Sequence, residues 1–255
     1  MKIATWNVNS LKIRLPQVLQ WLESARPDVL ALQEIKQVNE DFPLAEIQAA
    51  GYTAVCSGQK TYNGVAILSR KPLQDTATDI DGLDDPQRRI LAATVGDVRV
   101  LNLYVVNGQE VDSEKYHYKL KWLQHVSAYI KAQLQRYPRM VILGDFNIAP
   151  DDRDVHDPEA WREKILCSTK ERAALQNILA HGFSDTFRRF EQEDASFSWW
   201  DYRAAAFRRN LGLRIDLVLA SHPLAESCRA AGIDKEPRKW ERPSDHVPVW
   251  AEFNV

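Results

Sequence analysis

Residues 140–147 read Met140-Val141-Ile142-Leu143-Gly144-Asp145-Phe146-Asn147. An uninterrupted apolar run of this kind makes a strand buried on both faces, the signature of the parallel part of an α/β sheet. In such folds ligands bind beyond the carboxyl ends of the strands. Gly144, Asp145, Phe146 and Asn147 fall there, and other runs repeat the arrangement: Lys2 to Trp6 leads into Asn7, Asp28 to Leu32 into Gln33 and Glu34, and Val98 to Leu103 into Tyr104. Leu211 to Ile215 leads into Asp216, and Ser244-Asp245-His246 precedes an apolar run near the end of the chain. A single Asp after a strand is usually a cap or turn residue. Carboxylates, amides and one imidazole recurring at successive strand ends point to a common site.

Outward from these strands the chain alternates. Leu11 to Leu22 has helical spacing, with Ser10 in the N-cap position. Residues 52–57 and 63–69 read as strands joined through Tyr62-Asn63-Gly64, which is hairpin chemistry. Ile90 to Val95 and Val98 to Val106 form another pair around Gly96-Asp97. The longest helix is expected from Ser113 to Tyr137, with Tyr116, Leu120, Leu123, Ile130, Leu134 and Tyr137 along one stripe. A long irregular loop rich in Asp and Pro covers 149–167, and loops of that length are usually functional. A helix from Lys170 to Leu179 follows, then strands at 196–200, 213–220 and 247–253. The architecture expected is a four-layered α/β sandwich: two mixed β-sheets face to face, helices outside, one sheet from each half of the chain. Residues 1–255 would form a single domain of two fused halves, without repeats, low complexity or a linker.

At 255 residues the chain can bury a substantial core. Lys plus Arg (33) nearly equals Asp plus Glu (35), so net charge argues neither for nor against a polyanionic partner. No run approaches membrane-spanning length, and Met1-Lys2 leads directly into a strand rather than a signal-peptide apolar region. The expectation is a cytoplasmic protein with no membrane partner. It should be a monomer, since no exposed apolar stripe demands a second subunit. Cys56, Cys167 and Cys228 are odd in number and lack CxxC spacing, which excludes a disulfide framework or zinc site in favour of buried free thiols.

A rim of carboxylates, amides and an imidazole, without cysteine, suits a hard, oxygen-preferring ion such as Mg²⁺ or Mn²⁺. Glu34 is the leading candidate ligand. Mg²⁺ commonly binds through one or two carboxylates plus substrate phosphate, so the set points to phosphate chemistry. Asp145 would orient and deprotonate a water, and Asn147 would donate to the phosphoryl oxygen. His246 would bind that oxygen as an imidazolium if a carboxylate kept it charged, and Asp216 is the natural partner. Tyr104 would donate from its phenol. Arg88-Arg89, Lys115-Lys119-Lys121 and Arg203-Arg208-Arg209 would be solvated charge in most proteins; here they fall near the rim, where some would track phosphates. His117, His125, His156, His181 and His222 read as ordinary surface histidines.

The stretches Trp6-Asn7-Val8-Asn9, Leu32-Gln33-Glu34, Asn102-Leu103-Tyr104, Gly144-Asp145-Phe146-Asn147, Phe197-Ser198-Trp199-Trp200, Gly212-Leu213-Arg214-Ile215-Asp216 and Ser244-Asp245-His246 together resemble the exonuclease III family. These are bacterial apurinic/apyrimidinic endonucleases within the endonuclease/exonuclease/phosphatase superfamily, and the resemblance runs in order along the chain. It implies Asn7 and Glu34 at the metal site, with Asp245 near the metal or holding His246. Tyr104, Asp145 and Asn147 match the phosphate-binding and water-activating positions, and Asp216 and His246 the catalytic pair. Trp199, Leu213 and Ile215 match an apolar pocket for an extrahelical abasic sugar, and Asn107 a further phosphate-contacting position; Arg203, from the basic run at 203–209, is a candidate substrate contact. Asn9 departs from family members that carry Asp. Whether Asp145 or His246 is the general base stays open.

The resemblance implies a Mg²⁺-dependent hydrolase of the exodeoxyribonuclease III type. It would incise double-stranded DNA 5′ to abasic sites and trim 3′ blocking groups or 3′ ends. Two rivals are a phosphatase acting on a small phosphorylated molecule and a DNA-binding protein that has lost catalysis.

Overall fold

The computed structural model describes residues 1–80 and 82–255. In chain order its elements are β1 (Lys2–Asn7), α1 (Leu11–Ala25), β2 (Val29–Gln33), α2 (Leu44–Ala49), β3 (Thr53–Ser57), β4 (Val65–Ser69), β5 (Gln74–Ala77), β6 (Ile90–Val95) and β7 (Val98–Tyr104). Then come α3 (Glu114–Arg136), β8 (Met140–Asp145), α4 (Pro158–Trp161), α5 (Thr169–Leu179), β9 (Phe183–Asp185), β10 (Trp199–Trp200), β11 (Gly212–Leu213), β12 (Asp216–Ser221), α6 (His222–Ala225), β13 (Cys228–Ile233) and β14 (Val249–Phe253).

Two six-stranded sheets form, ordered β13-β14-β1-β2-β4-β3 and β5-β6-β7-β8-β12-β9. Each is mixed, with one parallel pair at its centre: β1 with β2, and β7 with β8. Period-2 alternation sorts the side chains into layers. Ile3, Val29, Ala31, Val141, Leu143 and Val218 are among those that fill the space between the sheets. Met140, Ile142, Leu101 and Leu103 face outward against α3 and α5. Trp6, Leu30, Leu32 and Leu68 pack on the other outer face with Leu11, Val18, Trp21 and Leu22 of α1. The four-layered sandwich is therefore as expected.

The division of the sheets is not. The first contains β1 to β4 together with β13 and β14 from the end of the chain, so neither sheet belongs to one half. β14 runs antiparallel to β1, pairing Lys2 with Glu252 and Thr5 with Val249. That pairing carries His246 to the sheet that holds Asn7. The run 213–220 also divides, because the chain breaks at Arg214-Ile215 and β12 begins, rather than ends, at Asp216. β5, β9, β13 and α2 were not anticipated. The sequence of β13, Cys-Arg-Ala-Ala-Gly-Ile, has too few large apolar residues to signal a strand, and pairing with β14 forms it.

Local chemistry sets the ends. Ser113 caps α3 by accepting from the Tyr116 amide, and Ser168 with Glu171 forms a capping box on α5. Ser10 does not cap α1: its φ is 88° and its side chain makes no cap bond. The sheets are also pinned by polar groups. Gln33 Nε2 donates to Asn102 Oδ1 (2.7 Å) and Thr5 Oγ1 (2.8 Å), while Asn102 Nδ2 donates to the carbonyls of Leu32 and Ala66, both at 2.9 Å. All three side chains are buried, so this bridge fixes how one sheet sits on the other. Of the cysteines, only Cys167 is buried; Cys56 and Cys228 are half-buried, and all three are free thiols.

Candidate active site

Asn7 shares a face of β1 with Ile3 and Thr5, Asp145 a face of β8 with Val141 and Leu143, and Asp216 a face of β12 with Val218 and Ala220. In each case that face looks into the space between the sheets. At the rim the apolar filling gives way to these polar residues. Within the second sheet Tyr104 pairs with Asp145 and Asp145 with Asp216, so the three stand in one row across adjacent strands. Gly144 permits the close strand pairing beside them: its φ is +143°, and a Cβ there would lie 1.8 Å from the Leu103 carbonyl oxygen.

The groups meet as a connected network. Asn7 Nδ2 donates to Glu34 Oε1 and to Asp145 Oδ2, both at 2.9 Å. Asp145 Oδ1 accepts from the Asn147 backbone amide (2.9 Å). His246 Nδ1 lies 2.9 Å from Asp216 Oδ2, and its Nε2 lies 3.8 Å from Asp145 Oδ2. Ser198 supports Asp216 from behind, donating to Oδ2 at 2.6 Å while accepting the amides of Ile215 and Asp216. Ser244 Oγ donates to the Asn7 carbonyl (2.7 Å), which ties the Ser-Asp-His turn to β1. Glu34 (φ 53°), Asn147 (φ 48°) and Asn9 (φ 44°) all hold left-handed backbone. Such conformations persist where surrounding contacts enforce them.

Electrostatics separates the roles. Burial pushes the Asp145 carboxyl up to about 7, against the opposing pull of His246. Burial works against charge on His246 as well, but Asp216 and Asp145 outweigh it and carry the imidazole up to about 10. Burial, with Glu34 and Asp145 nearby, pushes the Tyr104 phenol well above its ordinary range. Burial raises Glu34, but Lys36, the Asn7 hydrogen bond and His246 together outweigh it and lower the carboxyl. At neutral pH the site therefore holds a charged imidazole, a protonated phenol and a carboxyl poised near neutrality.

Glu34, Asp145 and His246 present ligand atoms within 4.8 Å of one another. An imidazolium bound to Asp216 does not ligate, so the two carboxylates are the cation-attracting pair. Lys36 Nζ already lies 2.9 Å from Glu34 Oε2, a cationic group against one side of the site. The donors are hard, and they fit a divalent cation of the Mg²⁺ type. Asn7 presents N–H groups rather than its oxygen to both carboxylates and so spaces them. Asp245 stands outside this cluster, with Oδ1 accepting from Asn9 and Oδ2 from Trp199 Nε1, each at 3.0 Å.

Other expected residues fall into distinct places. Half-buried Trp199 packs with Leu213, Ile215, Val155 and Cys167, while Trp200 is fully buried in a separate cluster. Asn107 Nδ2 donates to Asn147 Oδ1 (3.1 Å). Asn147 itself turns inward, its Nδ2 donating to the Val105 carbonyl at 3.0 Å and reaching Asp145 Oδ2 at 3.3 Å. Arg203 is 90% exposed and pairs with Asp201. Of the basic groups, Arg89 is buried, its guanidinium 4.6 Å from the Tyr104 ring centre. Lys119 is wholly buried, which removes it from any surface that tracks phosphates. Lys36 and Ser198 received no role from the sequence, although Ser198 lies within the Phe197-Ser198-Trp199-Trp200 stretch and Lys36 two residues beyond Glu34.

Residues 4–246 match the Endonuclease/Exonuclease/phosphatase family. The chain is 36% identical to exodeoxyribonuclease III of Haemophilus influenzae, over 99% of this chain and 100% of that one. A Neisseria 3′ phosphatase solved with a product DNA hairpin is 50% identical with a TM-score of 0.98, covering 100% of both chains. An AP endonuclease from Archaeoglobus fulgidus is 40% identical with a TM-score of 0.96, again covering 100% of both. The protein belongs to the exonuclease III family of the endonuclease/exonuclease/phosphatase superfamily and is a hydrolase of the nuclease type. Among the described residues no helix is long and apolar enough to cross a membrane.

Proposed function

We propose that this protein is a Mg²⁺-dependent DNA-repair phosphodiesterase that removes blocking groups from 3′ ends of duplex DNA and incises the backbone 5′ to abasic sites. One observation carries the chemistry: His246 Nδ1 lies 2.9 Å from Asp216 Oδ2, which holds the imidazole charged, while its Nε2 faces Asp145 Oδ2 at 3.8 Å. An imidazole charged at neutral pH is no general base, which leaves that work to the Asp145 carboxylate.

Asp145 Oδ2 takes a proton from the attacking water as its oxygen bonds to phosphorus. The bond from phosphorus to the 3′ oxygen breaks on the opposite side, and that oxygen takes up a proton from solvent to leave as the 3′-hydroxyl. His246 Nε2, kept charged by Asp216 at Nδ1, donates to a non-bridging phosphoryl oxygen as negative charge grows there. Tyr104 stays protonated and supplies a phenolic hydrogen bond on the side of the leaving oxygen. Asn107 contacts the phosphate, and Asn147 aligns Asp145 through its backbone amide. Glu34 and Asp145, spaced by Asn7, would hold the metal, which when bound polarises the phosphoryl group and stabilises the leaving oxygen. Trp199, Leu213 and Ile215 would seat a sugar that lacks its base, with Arg203 reaching the DNA from the rim.

The higher identity to the Neisseria 3′ phosphatase than to the archaeal AP endonuclease favours a second reading, 3′-end processing with little abasic incision. Labelled duplexes carrying either an internal abasic-site analogue or a recessed 3′-phosphate, each with Mg²⁺ and with chelator, separate the two. Metal-dependent cutting at the lesion supports incision. Release of phosphate alone supports the 3′-processing reading, and no reaction with either duplex overturns both.

A further inference from the structure

Lys119 of α3 has no exposed side-chain surface, and no role has been given to it. Its ammonium donates to the carbonyl oxygens of Asn147 (2.6 Å) and Asn107 (3.1 Å) and to Glu171 Oε1. Glu171 of α5 is equally buried; its other oxygen accepts from the Ser168 amide (3.1 Å) and hydroxyl (2.7 Å), and Oε1 also accepts the Leu166 amide. All three ammonium hydrogens thus have acceptors.

A buried ion pair is weak evidence for stability, since apolar replacements of similar volume often serve as well. What this pair reaches is more telling. Its two carbonyl acceptors belong to the residues whose side chains bond to each other, Asn107 Nδ2 to Asn147 Oδ1. Asn147 holds left-handed backbone while its amide donates to Asp145. The loop after Asn107 passes so close that a Cβ on Gly108 would lie 3.1 Å from Lys119 Cδ. The ammonium therefore joins both asparagines to the two helices behind them.

We propose that Lys119, fixed by Glu171, is a positioning residue that holds the Asn107 and Asn147 carbonyls so that the asparagine pair stays aligned against Asp145 and the scissile phosphate. The kinetic part rests on the phosphodiesterase reading above; the structural part does not.

The test compares Lys119→Met with the double variant Lys119→Met/Glu171→Gln, in which no charge is left unpaired and Gln still completes the capping box. Thermal midpoint, kcat and KM on a 3′-phosphate duplex, and hydrogen exchange at the Asn147 amide are measured. The double variant should regain most of the midpoint lost by the single one, yet keep a kcat about 100-fold below the wild type with KM little changed. Its Asn147 amide should exchange at least about 10-fold faster while core amides keep their protection. Recovery of kcat together with the midpoint would make the pair purely structural and overturn the proposal. Unchanged Asn147 exchange would overturn it even if the wild-type protein cleaved no DNA, and absence of wild-type cleavage with accelerated exchange would count against the phosphodiesterase reading instead.

Discussion

Replacing Asp216 by Asn keeps the size of the side chain and removes the charge that most favours protonated His246. With Asp216 present, His246 stays charged up to about 10. Without it, burial acts against the charge with Asp145, at 3.8 Å from Nε2, and Asp245 still opposing, and the imidazole moves down toward its ordinary 6.5. A group of that pKa is about 1% charged near pH 8.5 and about 90% charged near pH 5.5. If the imidazolium stabilises the phosphoryl oxygen, the variant should be about 100-fold slower than wild type near pH 8.5 and approach the wild-type rate, itself reduced by protonation of Asp145, near pH 5.5. The sign is fixed by the direction of the shift: what the raised pKa provides is lost as pH rises, in the variant through about 6.5 and in the wild type only through about 10. Single-turnover rates on a 3′-phosphate duplex, with saturating Mg²⁺, measure this. Removing the Asp216 charge also lowers Asp145, so the full pH profile of each protein is recorded and their ratio is compared across it. A ratio that does not change with pH would refute the reasoning and reduce Asp216 to a geometric support.

Asp145→Asn should remove most turnover and leave duplex affinity within a few-fold, as measured by fluorescence anisotropy; an equal loss of binding would make the residue structural. Because burial pushes Asp145 up to about 7, Mg²⁺ entering beside it should expel a proton below that pH and none well above it. Calorimetric titrations in buffers of different ionisation enthalpy count that proton, and a release that grows with pH would contradict the assignment. Arg214 is fully buried and donates to Asp154 through Nε at 2.6 Å and Nη2 at 3.2 Å. Asp154→Asn should therefore cost about 3 kcal/mol, lowering the thermal midpoint by about 6–12 °C for a chain of this size. A shift within experimental error would mean that Asp185, also bonded to Arg214, suffices.

The side chains proposed to be catalytic were legible because they occupy strand ends, where a polar residue after an apolar run stands out. Asn7, Tyr104 and Asp145 do lie at the carboxyl ends of β1, β7 and β8. Asp216 was legible as a residue and misread as a position, since an antiparallel strand brings its amino end to the same rim. The interior charges were not legible. Lys119 on a helix has the same one-letter appearance as its solvated neighbours Lys115 and Lys121, and only the packing of α3 against α5 shows that it points inward. Arg214 lay within a recognised motif, but its partners Asp154 and Asp185 come from a loop and a three-residue strand that no periodicity marks. Lys36 could have been found by proximity, two residues beyond Glu34.

The row formed by Tyr104, Asp145 and Asp216 explains why so much buried polarity is spent on register. Side chains alternate with period two, so slipping β12 by one residue against β8 would turn Asp216 toward the helices and leave His246 without its partner. Apolar packing between sheets tolerates sliding far better than hydrogen bonds do. The Gln33–Asn102 bridge provides the directional contacts between sheets, Ser198 those behind Asp216, and the Arg214–Asp154 pair those that lock the turn into β12. Each lies just inside the rim. On this view the buried polar groups set the distance between Asp145 and His246, and relaxing any of them should lower turnover as well as stability.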